Sequence, residues 1–100
     1  MRGQTSKRKS KNINSSLVKY IYERDDGMCI YCGNLATELD HVLPTKEGGM
    51  SIRSNLVCAC RSCNQKKKNH LDDDFFWFTR AIFWLLQKGE DTSWMDKFQR

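Results

Sequence analysis

Glu38-Leu39-Asp40-His41-Val42-Leu43-Pro44, a glycine-bearing loop, and then Ser54-Asn55-Leu56-Val57-Cys58-Ala59-Cys60-Arg61-Ser62-Cys63-Asn64-Gln65-Lys66-Lys67-Lys68 decide how this chain reads. Residues 37–43 form a short run with strand character, ended by Pro44, which cannot donate to a sheet ladder. Residues 45–53 read as a loop with Gly48-Gly49 at its tip. The apolar run Leu56 to Ala59 predicts a second strand antiparallel to the first, and Ser62 to about Asn69 a short basic helix with Cys63 and Asn64 in its first turn. Upstream, Cys29-Ile30-Tyr31-Cys32 supplies a second Cys-x-x-Cys. Two such pairs, Cys29/Cys32 and Cys60/Cys63, have the spacing of a structural tetrahedral Zn²⁺ site. Tyr31, inside the knuckle, reads as a packing lid over that site.

One hundred residues make one domain with a small core, and chains of this size often need a metal or disulfide staple. The N-terminus has no apolar signal region, so the expected setting is cytoplasmic, in a bacterial or virus-infected cell. Reduced thiols there favour zinc over disulfides. The fifth cysteine, Cys58, alternates within the second strand and reads as a small buried hydrophobe. Net charge is +5, and Arg2, Lys7, Arg8, Lys9 and Lys11 account for all of it. Residues 1–14 are expected to be a disordered basic arm. A second cluster is Arg61, Lys66, Lys67 and Lys68. Localised positive clusters suit a phosphate backbone, although the arm alone would equally suit solubility.

Ser15 or Ser16 is expected to cap a helix reaching about Arg24, with Leu17, Tyr20 and Ile21 inward, before Asp25-Asp26-Gly27 breaks it. Leu71-Asp72 opens a last helix, with Asp72 as its cap, whose apolar body Phe75 to Leu86 stops near Gly89. That body is shorter than the ~20 residues of a membrane span and contains Arg80, so no membrane contact is expected. At 100° per residue Phe75, Phe78, Ile82, Leu85 and Leu86 share a face, flanked by Phe76 and Phe83, with Trp77 and Trp84 opposite. The tail around Trp94 to Phe98 is expected to fold back over those indoles. Left uncovered, Trp77/Trp84 would instead offer a surface for a homodimer or protein partner.

The combination of Cys-x-x-Cys, Asp-His-x-x-Pro, Ser-Asn-Leu and Cys-x-x-Cys-Asn-x-x-Lys, in this order between Tyr20 and Asn69, resembles the zinc-stapled branch of the HNH endonucleases. Asn64 stands at the third signature position, where histidine is frequent. The resemblance implies a small α+β fold: a ββα-metal hairpin and helix with a four-cysteine zinc site, flanked by an N-terminal and a C-terminal helix. It places a single nuclease domain at residues 15–100 and implies metal-dependent hydrolysis of DNA phosphodiesters. By the same resemblance Asn55 holds the hairpin loop through side-chain hydrogen bonds, and Lys67 approaches phosphate. Lys66, Lys68, Arg61, Arg53, Lys7, Arg8 and Lys9 complete the expected DNA contacts.

The residue chemistry supports that reading separately. Phosphodiester hydrolysis needs an activated water, a cation on a non-bridging oxygen, and stabilisation of the leaving alkoxide. His41, with an ordinary pKa of ~6.5, can take the proton from water as a general base. A lone histidine at a strand end would be a satisfied core residue; Asp40 beside it and Asn64 downstream favour catalysis. Asp40 and Asn64 are oxygen donors for a catalytic Mg²⁺ or Mn²⁺, and the neutral amide disfavours softer metals. One geometric objection stands, because adjacent strand residues point to opposite faces and Asp40 and His41 are adjacent. The alternative is a non-catalytic, zinc-stabilised nucleic-acid-binding module.

Overall fold

The computed structural model describes residues 13–69 and 74–98. In chain order these form helix α1 (Ser15–Arg24), strand β1 (Glu38–His41), a 3₁₀ turn (Thr45–Glu47), strand β2 (Leu56–Ala59), helix α2 (Arg61–Asn69), helix α3 (Asp74–Gln87) and a closing 3₁₀ segment (Ser93–Phe98). The fold is therefore small and α+β, with one antiparallel hairpin between helices. Among the described residues no helix is long and apolar enough to cross a membrane. The arm with Lys7, Arg8 and Lys9, the expected cap Asp72, and the side chain of Phe75 lie outside the described residues.

β2 is the central element. All four of its residues are buried, and their alternation splits the core in two. Val57 and Ala59 join Tyr31, Trp77, Ala81, Leu85 and Met95 on one side. Leu56 and Cys58 join Ile21 on the other. A strand covered on both faces needs a continuous apolar run rather than an alternating one, and Leu56 to Ala59 is such a run. β1 pairs along one edge in the register Asp40↔Val57 and His41↔Leu56. The backbone of the first knuckle takes the other edge, with Ile30 N donating to Cys58 O at 3.0 Å.

β1 ends before Leu43 because the Asn55 side chain replaces the ladder there, after a last backbone bond from Val42 N to Asn55 O at 2.9 Å. Asn55 is fully buried, accepts from Leu43 N at 2.8 Å, and donates to Leu43 O at 3.1 Å and Met50 O at 2.9 Å. This closes the 44–54 loop onto the strand end. Gly48 turns it at φ 99°, and a Cβ on Gly49 would lie 1.7 Å from Leu43 O, so neither position tolerates an ordinary side chain.

The N-terminal cap of α1 is Asn14, one residue before the expected serines, with Oδ1 accepting from Ser16 N at 2.7 Å. Ile21 is buried, whereas Tyr20 is 37% exposed, with Arg53 over its ring and its hydroxyl donating to Glu90 Oε2 at 2.7 Å.

The face expected on α3 holds in part, since Leu85 is buried and Phe78 and Ile82 pack partly buried against the core. The buried stripe is Trp77, Ala81 and Leu85, and Phe76, Phe83 and Leu86 are exposed. Trp77 meets Tyr31 edge-on at 5.1 Å, and Trp84 Nε1 donates to Asp25 Oδ1 at 2.8 Å. The tail does fold back, with Met95 buried in the cluster that holds Trp77. Trp77 is therefore part of the core, and Trp84 packs partly buried against it. The helical angle gave a stripe, but the small Ala81 and the acceptor on Asp25 decide which stripe faces inward.

Asp25 is the hub of a buried ionic network. Arg24 donates to both of its oxygens at 2.7 and 3.0 Å, and Cys58 N donates to Oδ2 at 3.0 Å. Arg24 also reaches Glu90 Oε2 at 3.2 Å and Leu56 O at 2.6 Å. This network ties α1, β2 and the C-terminal segment together.

Candidate metal centres and active site

The four cysteines converge from two elements. Cys29 and Cys32 sit in the knuckle turn, where Gly33 N donates to Cys29 O at 2.8 Å. Cys60 stands at the N-terminus of α2 and caps it through sulfur, accepting from Cys63 N at 3.4 Å. One ligand atom from each of Cys29, Cys32, Cys60 and Cys63 lies within 4.8 Å of the others, and Cys32 Sγ is 3.8 Å from Cys60 Sγ. A tetrahedron of thiolates around an ion at ~2.3 Å has edges of ~3.8 Å, so the cluster fits a zinc ion. The backbone N–H of Asn34 on its sulfur lowers the Cys32 thiol to about 7, favouring the thiolate a metal needs. Cys58 lies apart in the α1-side core, where burial raises its thiol to about 12.

The second centre is a cavity of about 630 Å³ around the end of β1, lined by Asp40, His41, Pro44, Asn64, Lys67 and Phe78 among others. The objection from strand geometry is met by position. His41 is the last residue of β1, and the cavity wraps that end, so it reaches both faces. Asp40 shares the face of Val57 and is buried; its Oδ2 accepts from the Tyr31 hydroxyl at 2.7 Å and from Lys67 Nζ at 2.7 Å. His41 turns the other way, with Nε2 2.9 Å from Ser51 Oγ. Burial lowers the His41 pKa, which Asp40 partly opposes and Lys67 reinforces.

Asn64 enters from the first turn of α2. Its Nδ2 donates to Glu38 Oε1 at 2.7 Å, and its Oδ1 is buried with no partner among the described residues. Only the amide nitrogen can donate to a carboxylate, so this bond fixes which atom is the unpartnered oxygen. An orphaned buried acceptor costs roughly 1–3 kcal/mol. Asp40 and Asn64 thus offer an anionic and a neutral oxygen in one cavity, a donor set that fits a hard divalent cation.

Three site residues were missed in the sequence. Ser51 orients His41, Glu38 orients Asn64, and Tyr31 holds Asp40 while also packing on Trp77. Burial raises the Tyr31 hydroxyl well above its usual range, so it stays a donor. Only Glu38 carried a signal, since two residues before Asp40 in a strand is the same face. Of the expected phosphate contacts, Arg61 pairs with Glu38 at 3.4 Å and Arg53 with Glu90 at 3.1 Å. Lys66 and Lys68 are exposed, and Lys68 lines the cavity. Lys67 is mostly buried on Asp40.

Comparison with known proteins agrees with this geometry. No curated protein matches the chain. The sequence model of a family described as HNH endonuclease matches residues 29–76, which span both cysteine pairs, β1, β2 and α2. Over residues 29–76, and with a cysteine cluster able to hold zinc, this chain is similar to the HNH endonuclease family.

Proposed function

We propose that the protein is an endonuclease that hydrolyses DNA phosphodiester bonds, with His41 as general base and Asp40 and Asn64 as ligands of a catalytic Mg²⁺ or Mn²⁺. The observation that carries the reading is Asn64 Oδ1, a buried acceptor without a partner among the described residues, in the cavity that also holds Asp40 and His41. In the tautomer that carries its proton on Nε2, 2.9 Å from Ser51 Oγ, the lone pair of His41 Nδ1 is left to accept a proton from the attacking water. The lowered pKa keeps that ring neutral, as a base must be. Asp40 and Asn64 would hold the cation, which supplies charge neutralisation at the phosphate. Zinc on the four cysteines would fix the knuckle and α2, and through Tyr31 the carboxylate of Asp40.

A second reading, the non-catalytic zinc-stabilised nucleic-acid-binding module, is favoured by one observation: Lys67 already neutralises Asp40. Plasmid cleavage with Mg²⁺, Mn²⁺ or EDTA separates the two. The nuclease reading expects cleavage that needs the cation and is lost in His41→Ala. DNA binding with a steep salt dependence and no cleavage would establish the module instead.

A further inference from the structure

Lys67 is bonded differently from a side chain waiting for phosphate. Its Nζ reaches Asp40 Oδ2 at 2.7 Å, His41 O at 2.9 Å and Val42 O at 3.5 Å. Three donors meet three acceptors, and the side chain is only 12% exposed. Lys67 is the counter-ion of the carboxylate on which the proposed cation depends.

We propose that Lys67 competes with the divalent cation for Asp40, and that a substrate phosphate relieves the competition by drawing the ammonium away. Cation binding is then conditional on nucleic acid. This inference rests on the reading of Asp40 and Asn64 as cation ligands.

The geometry supports it in three ways. Tyr31 and Lys67 both donate to Oδ2, and among the described residues no donor reaches Oδ1. A divalent ion on Asp40 therefore stands within a few ångströms of the ammonium, in a largely buried site where screening is weak. Asn64 and Lys67 are three residues apart on α2 and share its face, so the ammonium can leave Asp40 by rotating its own stem, with the backbone fixed. A phosphate in the cavity offers the replacement partner, as a charge-assisted acceptor for the same N–H groups.

The test measures metal binding without catalysis. Mn²⁺ is titrated by electron paramagnetic resonance into zinc-loaded full-length wild type, Lys67→Met, Lys67→Arg and Asp40→Asn, with no DNA present. Methionine keeps most of the stem and removes the charge, so affinity should rise at least ~10-fold. Arginine keeps the charge and should not reproduce that gain. In parallel, the Lys67 ammonium signal of wild type, assigned by its loss in Lys67→Arg, is followed by ¹H–¹⁵N NMR as Mg²⁺ is added. It should shift as the cation binds, and this arm holds even if Lys67→Met fails to fold. Equal Mn²⁺ affinity in wild type and Lys67→Met, or an unmoved Lys67 signal while binding still depends on Asp40, would overturn the inference and leave the cation site standing. Binding that Asp40→Asn does not weaken in any protein would sink the cation reading itself.

Discussion

Asp25→Ala should be among the most damaging single substitutions in this protein, although Asp25 lies in no metal centre. Asp25 is 1% exposed and takes four bonds: two from Arg24, one from Cys58 N and one from Trp84 Nε1. Alanine leaves the Arg24 guanidinium, itself only 6% exposed, with Glu90 as its remaining carboxylate partner. It also strands two N–H donors, each worth roughly 1–3 kcal/mol when buried unpaired. Breaking one side of a buried ion pair costs about 3–5 kcal/mol. Against a total of about 5–15 kcal/mol for a domain, that loss is a large fraction. At ~4–8 °C per kcal/mol for a domain of this size, the melting temperature should fall by roughly 12–40 °C. Circular dichroism melts of zinc-loaded protein measure this directly. Glu23→Ala is the control, because its pair with Lys19 at 3.9 Å is exposed on both sides and should move stability by less than ~0.5 kcal/mol. An Asp25→Ala loss below ~1 kcal/mol would show that the network is not what joins α1 to the C-terminal helix.

Elemental analysis should find one zinc per chain and chelation should unfold the protein, while Cys58→Ser keeps its zinc; a zinc-free folded protein would refute the cluster. The acid limb of the pH–rate profile should lie below the ordinary histidine value of ~6.5, because a lowered pKa keeps His41 unprotonated to lower pH; a limb above it would point to another base. Gly49→Ala should cost more than ~2 kcal/mol in melts, since its Cβ would meet the Leu43 carbonyl at 1.7 Å. Deleting residues 1–12 removes five cations and should flatten the log–log salt dependence of DNA binding by up to ~4.5; an unchanged slope would show that the arm touches no phosphate.

The hairpin, α2 and the cysteine cluster were legible because each rests on a short-range rule. Leu56 to Ala59 is a continuous apolar run, Pro44 bars further pairing, and paired Cys-x-x-Cys spacing implies one tetrahedral centre. What could not be read depends on contacts between distant residues. The inward face of α3 is set by Asp25, 59 residues away from Trp84, and periodicity carries no information about that acceptor. Tyr31 looked like packing because its ring does pack on Trp77, and only the fold brings its hydroxyl to Asp40. Ser51 sits in a loop whose path is set by Asn55 and Gly49, so its approach to His41 had no local signal. Lys67 was expected on phosphate, and its burial on Asp40 follows from the approach of α2 to the end of β1.

The most direct test of the account is single-turnover DNA cleavage across a Mg²⁺ titration by wild type, His41→Ala and Asn64→Ala, each verified folded and zinc-loaded. His41→Ala should lose about 10²–10⁴-fold at every Mg²⁺ concentration, because the base is gone and the cation ligands remain. The Asn64→Ala defect should shrink as Mg²⁺ rises, since what it loses is one ligand. Cleavage by His41→Ala within a few-fold of wild type, or an Asn64→Ala defect indifferent to Mg²⁺, would contradict the assignment of base and cation site.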